Sequence, residues 1–250
     1  MKLRTSHSSL LFIGILLSAH VNIKAQKPNE GILFDQAINA INIGNNEEIF
    51  EHFLKQRSAP LPKERRAFYK KELINRKDLA QTPLLDSASP EAQVVFNAIK
   101  PVIARYKWED AVDVVVIDQK APFIGMYRES IFLITTSLLK TLTPAQIRAS
   151  FAHELAHACF VEELIAADQA QNTAAHHVVE YKCDLIAALA LAGIGQDPFT
   201  LIEGVARIEQ YYKNTIGDRP DSSGHPESPQ RRKCLQRFLT IRRSSDTSVK

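Results

Sequence analysis

The chain has 250 residues, 45% of them hydrophobic and 24% charged, with a formal net charge of +3. That is enough apolar material for one sizeable core, and the absence of any long polar tract gives the composition of an ordinary soluble globular protein. The basic excess carries no message about nucleic acid: Lys2, Arg4 and Lys24 supply it, and residues 26–250 have no net charge. Three cysteines, Cys159, Cys183 and Cys234, allow at most one internal pair, which excludes a disulfide framework, and their spacing fits no cysteine-based zinc site.

Residues 1–25 have the layout of a secretory signal peptide: Lys2 and Arg4, then the apolar run Leu10 to Leu17, then the small Ala25 before Gln26. The run is well short of the ~20 residues that cross a bilayer, and no other apolar run is long enough to be a membrane helix. The expected location is therefore periplasmic or secreted, with no membrane span in the mature chain. Residues 26–88 read as an N-terminal helical region. ILFDQAINAI has helical spacing, Asn45-Asn46 breaks it before EEIFEHFL, and Pro60 and Pro62 precede a charged helix, PKERRAFYKKEL. Residues 81–88 read as a loop.

Residues 89–243 read as the main domain. Ser89-Pro90 starts a helix that carries Pro101 inside it. VDVVVI at 112–117 and SIFLITT at 130–136 read as strands, with an irregular connection or a short third strand between them. Thr143-Pro144-Ala145-Gln146 is a capping box that opens a helix burying Ile147, Phe151 and Leu155. Further helices are expected from about His176 to Leu191, from Asp197-Pro198 to Tyr212, and from Ser228 to about Arg243, with a loop at 213–227 and a disordered tail at 244–250.

The chemistry sits in His153-Glu154-Leu155-Ala156-His157. Two histidines four residues apart lie ~40° apart around a helix, so both imidazoles can reach one Zn²⁺. Glu154 projects beside them and can take a proton from a water held by the metal. A third protein ligand is needed, and Glu180 is the candidate. Asp184, four residues on, shares its face and can accept the free N–H of a ligand histidine. The next residues, LIAALALAG, are strongly apolar, so the helix is buried and its carboxylates need partners. His176 and His177 read as polar residues near a helix start. Cys183 reads as a packed small residue rather than a ligand. The basic cluster Arg231, Arg232, Lys233, Arg237, Arg242 and Arg243 reads as a solvated helix face.

HELAH, then EYKCD, then His225-Pro226 with Arg231 five residues on, resembles the HtpX-like and CAAX-prenyl-protease family of zinc metallopeptidases, of the gluzincin type. The resemblance covers about residues 95–243. It implies His153, His157 and Glu180 as ligands of one zinc ion, Glu154 as general base, and Asp184 as the group orienting a ligand histidine. It implies that His225 sits over the site, either stabilising the tetrahedral intermediate or regulating access, and that Arg231 holds the loop or the acidic helix. It also implies that strand 130–136 is the edge that pairs with an extended substrate. APFIGMYRES departs from the family's usual stretch before the edge strand, and Cys183 and Leu185 replace a usual Ala and a common Arg.

The expected fold is α+β and zincin-like, mainly helical with a small antiparallel sheet beside the motif helix. The expected function is an exported zinc endopeptidase acting on protein or peptide substrates, with a lean to envelope protein quality control. Two alternatives remain at this stage: a zinc-containing chaperone or adaptor with little proteolysis, and a helical interaction protein without metal. Nucleic acid is not an expected partner.

Overall fold

The computed structural model describes residues 12–14, 29–41, 44–75, 82–85, 87–217 and 225–247. The signal-peptide reading therefore lies outside the described residues, apart from 12–14. The architecture is α+β and mainly helical, as the sequence implies. Ten α-helices and five short strands occur among the described residues, in the order β1 (Phe12–Gly14), α1 (Glu30–Ile41), α2 (Asn46–Gln56), α3 (Lys63–Ile74), β2 (Leu84–Leu85), α4 (Pro90–Arg105), β3 (Asp113–Ile117), β4 (Ile124–Tyr127), β5 (Ile131–Thr135), α5 (Thr136–Thr141), α6 (Pro144–Ala156), α7 (Val161–Gln169), α8 (Thr173–Gly193), α9 (Phe199–Thr215) and α10 (Ser228–Thr247).

Local chemistry sets most boundaries. Asn45 closes a capping box with Glu48 at the start of α2, and Thr143 closes one with Gln146 at the start of α6. Ser89 caps α4, which continues through Pro101. Helix α8 starts earlier than expected because the Asn172 side chain accepts the Ala175 N–H. Helix α10 runs to Thr247, past the expected end at Arg243.

The sheet is mixed, which corrects the antiparallel expectation. Its order is β1-β4-β5-β3-β2; β3 and β5 run parallel, and the other pairs are antiparallel. The parallel pair arises because the 118–123 connection carries the chain past β5 to its far side. From there β4 returns into β5 through a turn in which Arg128 and Glu129 take φ of 52° and 61°. Such a turn matches the twist of a hairpin but usually needs Asn or Gly. Here Ser58 Oγ donates to Glu129 at 2.8 Å and the Arg128 guanidinium lies 4.8 Å from the Tyr69 ring centre, holding the strained pair.

A second correction follows from the same order. Strand 130–136 is not the sheet edge. β5 is central, and β4 covers the flank that was to receive substrate. β4 carries the outer register on that side, paired with Phe12–Gly14 through Ile13↔Met126.

Alternation along the strands buries both faces of the sheet. Val114, Val116, Met126, Phe132 and Ile134 point into the main core with α4, α6 and α8. Val115, Ile117, Tyr127, Ile131 and Leu133 form a second cluster with Leu73 of α3. Helix α8 is the central post: all of Val179 to Leu191 is buried, against α1, α2, α4, α6, α7 and α10.

Candidate metal centre

Helices α6 and α8 pack face to face, and the site forms where they cross. His153 lies in the last turn of α6. His157 follows as the first residue of a 3₁₀ turn, His157–Cys159, that continues the helix. Both imidazoles therefore stay on the side that faces α8, with ring centres 4.9 Å apart and planes perpendicular. The His153 Nε2 atom is 3.3 Å from Glu180 Oε2, and His157 Nε2 is 3.5 Å from Glu180 Oε1. One ligand atom from each of His153, His157 and Glu180 lies within 4.8 Å of the others, and all three residues are buried. This group can hold a metal ion.

Two features test the fit. His157 Nε2 and Glu180 Oε2 are buried with no hydrogen bond, although Glu180 Oε2 has two imidazoles within ion-pair distance. Unsatisfied buried polar atoms are costly, and a cation between them removes the cost. The donor set, two imidazole nitrogens and a carboxylate oxygen, is that of a catalytic zinc site with one coordination position open. The residues fit the metal.

Around this group stands a shell of charges. Asp184 Oδ1 is 2.9 Å from His153 Nδ1, placed to accept an N–H from that nitrogen while Nε2 faces Glu180. Arg231 of α10 holds Asp184 through both Nε and Nη2. Of the two roles the resemblance implied for Arg231, the structure places it on the acidic helix. His225 Nδ1 lies 2.9 Å from Glu180 Oε2, and the His225 side chain is 23% exposed against 3% for Glu180. The more open face of the site is therefore the His225 side. Glu154 is partly exposed, on the α6 flank that meets β4.

The electrostatics follow from burial and these contacts. Burial pushes the Glu154 carboxyl up to about 7, aided by Glu180 and opposed by His153 and a backbone hydrogen bond from Met126. Burial drives His157 down to about 3. His153 feels the same burial and the Arg231 charge, yet the Asp184 and Glu180 carboxylates outweigh both and raise it to about 9. Glu180 and Asp184 are buried, which opposes ionisation, but neighbouring imidazoles and Arg231 hold both below the ordinary carboxylate range.

The structure thus brings together His153, Glu154, His157, Glu180, Asp184, His225 and Arg231. It leaves His176 and His177 outside: His176 pairs with Asp168 at 2.9 Å and His177 with Glu30 at 3.2 Å. The basic cluster is not one solvated face. Arg231 and Arg242 are buried, Arg242 bonding Asn46 at 2.8 Å, and Arg237 pairs with Asp35. Two features were missed from the sequence. The Met126 backbone reaches Glu154, and no side-chain pattern announces a backbone contact. Cys183 Sγ lies 3.4 Å from His157 Nδ1; its spacing of three from Glu180, on the same helix face, was the available clue. All three cysteines are free thiols.

Fold and site together define a metallopeptidase of the HExxH type. Residues 91–189 match the family model described as Peptidase family M48. The matched segment runs from the first turn of α4 nearly to the end of α8 and contains HELAH and EYKCD. The family resemblance read from the motifs is shown over that segment, and with it a metallopeptidase activity in general. His225 and Arg231 lie beyond it. No curated protein matches the chain.

Proposed function

We propose that the protein is a zinc endopeptidase, exported by its N-terminal segment, that hydrolyses peptide bonds of unfolded or misfolded envelope proteins. The observation that carries the reading is the convergence of His153, His157 and Glu180 on one buried point with Glu154 beside it. A zinc ion, when held by those three residues, would supply the polarisation of a scissile carbonyl and the acidification of a water. Glu154 accepts the proton of the attacking water on its carboxylate and passes it to the leaving amine. Asp184 and Arg231 keep His153 in the ligating tautomer. His225, on the more open face, steadies the substrate's developing charge.

An extended substrate adds to the β4 edge beside Glu154. The antiparallel pairing of Phe12–Gly14 with Gly125–Tyr127 supports this, because it occupies the same hydrogen-bonding register. Removal of residues 1–25 frees that edge. No helix among the described residues is long and apolar enough to cross a membrane. N-terminal analysis of exported protein should find Gln26 at or near the start; a retained leader contradicts export by cleavage.

A second reading, a zinc-containing chaperone or adaptor with little proteolysis, is favoured by one contact: His225 lies against the ligand carboxylate, where it can cap the metal. One assay separates the two. Zinc-loaded protein is incubated with an unfolded substrate, and Glu154→Gln is the control. The peptidase reading expects cleavage that falls by at least ~10²-fold in the variant while zinc content persists. Equal cleavage by both proteins refutes the mechanism. If no cleavage occurs until His225 is replaced by Ala, the capped reading replaces it.

A further inference from the structure

The two ligand histidines are backed differently. Each has its Nε2 toward Glu180 and its Nδ1 toward α8. Behind His153 stands a carboxylate, Asp184, itself held by Arg231. Behind His157 stands the neighbouring residue, Cys183, with Sγ 3.4 Å from Nδ1. Cys183 is wholly buried. The sulfur meets Nδ1, not the Nε2 that faces Glu180.

We propose that Cys183 is a positioning residue for the metal centre: its sulfur accepts the Nδ1–H of His157 and keeps Nε2 bare toward Glu180. Two protonation patterns are compatible with the contact. If the thiol donated to Nδ1, the ring proton would sit on Nε2, the nitrogen that faces Glu180 Oε1 at 3.5 Å, and leave no lone pair there for a cation. If the ring proton sits on Nδ1, it has the sulfur as acceptor, and the group left without a partner is a thiol, a weak donor. The second pattern is the one that can ligate through Nε2. Fixing the tautomer through the distal nitrogen is how outer partners of metal-bound histidines act.

The asymmetry has a chemical consequence. The carboxylate behind His153 raises that imidazole's basicity, whereas a neutral thiol behind His157 only orients it. A carboxylate at both places would put a second uncompensated negative charge in the buried shell, where Arg231 already serves Asp184. The thiol gives orientation without charge.

This inference rests on the metal-site reading, and the test separates the two. Metal-free protein labelled with ¹⁵N in histidine is examined for the His157 tautomer, and zinc affinity is measured by chelator competition for wild type, Cys183→Ala and Cys183→Ser. The expected results are an Nδ1–H tautomer in wild type, an affinity loss of about 10-fold or more for Ala, and recovery to within about threefold by Ser, which restores an acceptor. An Nε2–H tautomer in the metal-free wild type overturns the proposal, as does an Ala variant that binds zinc within about twofold of wild type. Equal losses for Ala and Ser with an unchanged tautomer assign Cys183 to packing alone and overturn it too. If wild type takes up no zinc, the metal reading fails, and the tautomer alone decides the hydrogen bond.

Discussion

The two halves of the buried stretch of α8 are equally hidden from water and are built on opposite principles. From Leu185 to Leu191 every side chain is apolar and buried in the main core. From Val179 to Asp184 the same helix carries Glu180, Lys182 and Asp184, also buried. The apolar half is stabilised by removal of surface from water, without regard to which partner covers it. The polar half persists only because each charge has a specific partner. Glu180 faces three imidazoles, Asp184 takes His153 and Arg231, and Lys182 takes Glu163 at 2.6 Å. Burial costs the first half nothing, whereas the second half requires a neighbour for every group.

The largest effect should come from breaking the polar half at its centre. On the proposed reading, Glu180→Ala removes one of three protein ligands. Zinc affinity should fall well beyond the roughly 10–100-fold that an outer partner such as Asp184 contributes, and peptidase activity should vanish with it. Chelator competition on the purified variants checks the order Glu180→Ala below Asp184→Ala below wild type. A Glu180→Ala protein with unchanged affinity would assign the third ligand elsewhere.

Arg231→Ala tests the partner rule directly. It leaves Asp184 buried with one partner fewer, so unfolding in denaturant should show a loss of about 3–5 kcal/mol, accompanied by weaker zinc binding. Ile186→Ala in the apolar half should cost a comparable or smaller amount, about 2–5 kcal/mol, but the folded variant should bind zinc as wild type does. The contrast lies in the second readout: a shift in zinc affinity for Ile186→Ala would erase the distinction between the halves. The smallest effect is expected at the far end of the partner helix. Thr143→Ala removes the cap of α6 and should cost about 0.5–2 kcal/mol, seen as a lower denaturation midpoint with activity retained.

The two halves were not equally legible in the sequence. The apolar run marked α8 as buried, and that burial turned the spacing of Glu180 and Asp184 into a statement about partners. HELAH placed its residues because four-residue spacing on a helix is geometry. Other features depended on contacts the chain makes at a distance. The β4 hairpin lacks Asn-Gly chemistry, since its positive φ values fall on Arg128 and Glu129 and are held by Ser58 and Tyr69. Strand 130–136, which the resemblance implied to be an edge, is central. Helix α7 has a short apolar pattern broken by charge and was missed. Arg242 read as solvated because charge alone does not reveal that Asn46 awaits it across the core, and Arg231 was set apart from the same basic cluster only by the motif resemblance.

X-ray absorption on the zinc-loaded protein addresses the central claim most directly. With His153, His157 and Glu180 as the protein ligands, the first shell should contain nitrogen and oxygen at about 2.0–2.2 Å, with the multiple scattering of two imidazoles and no sulfur at about 2.3 Å. A sulfur shell would bring Cys183 into the coordination sphere, and a single imidazole would remove one histidine from it. Either result would contradict the site described above.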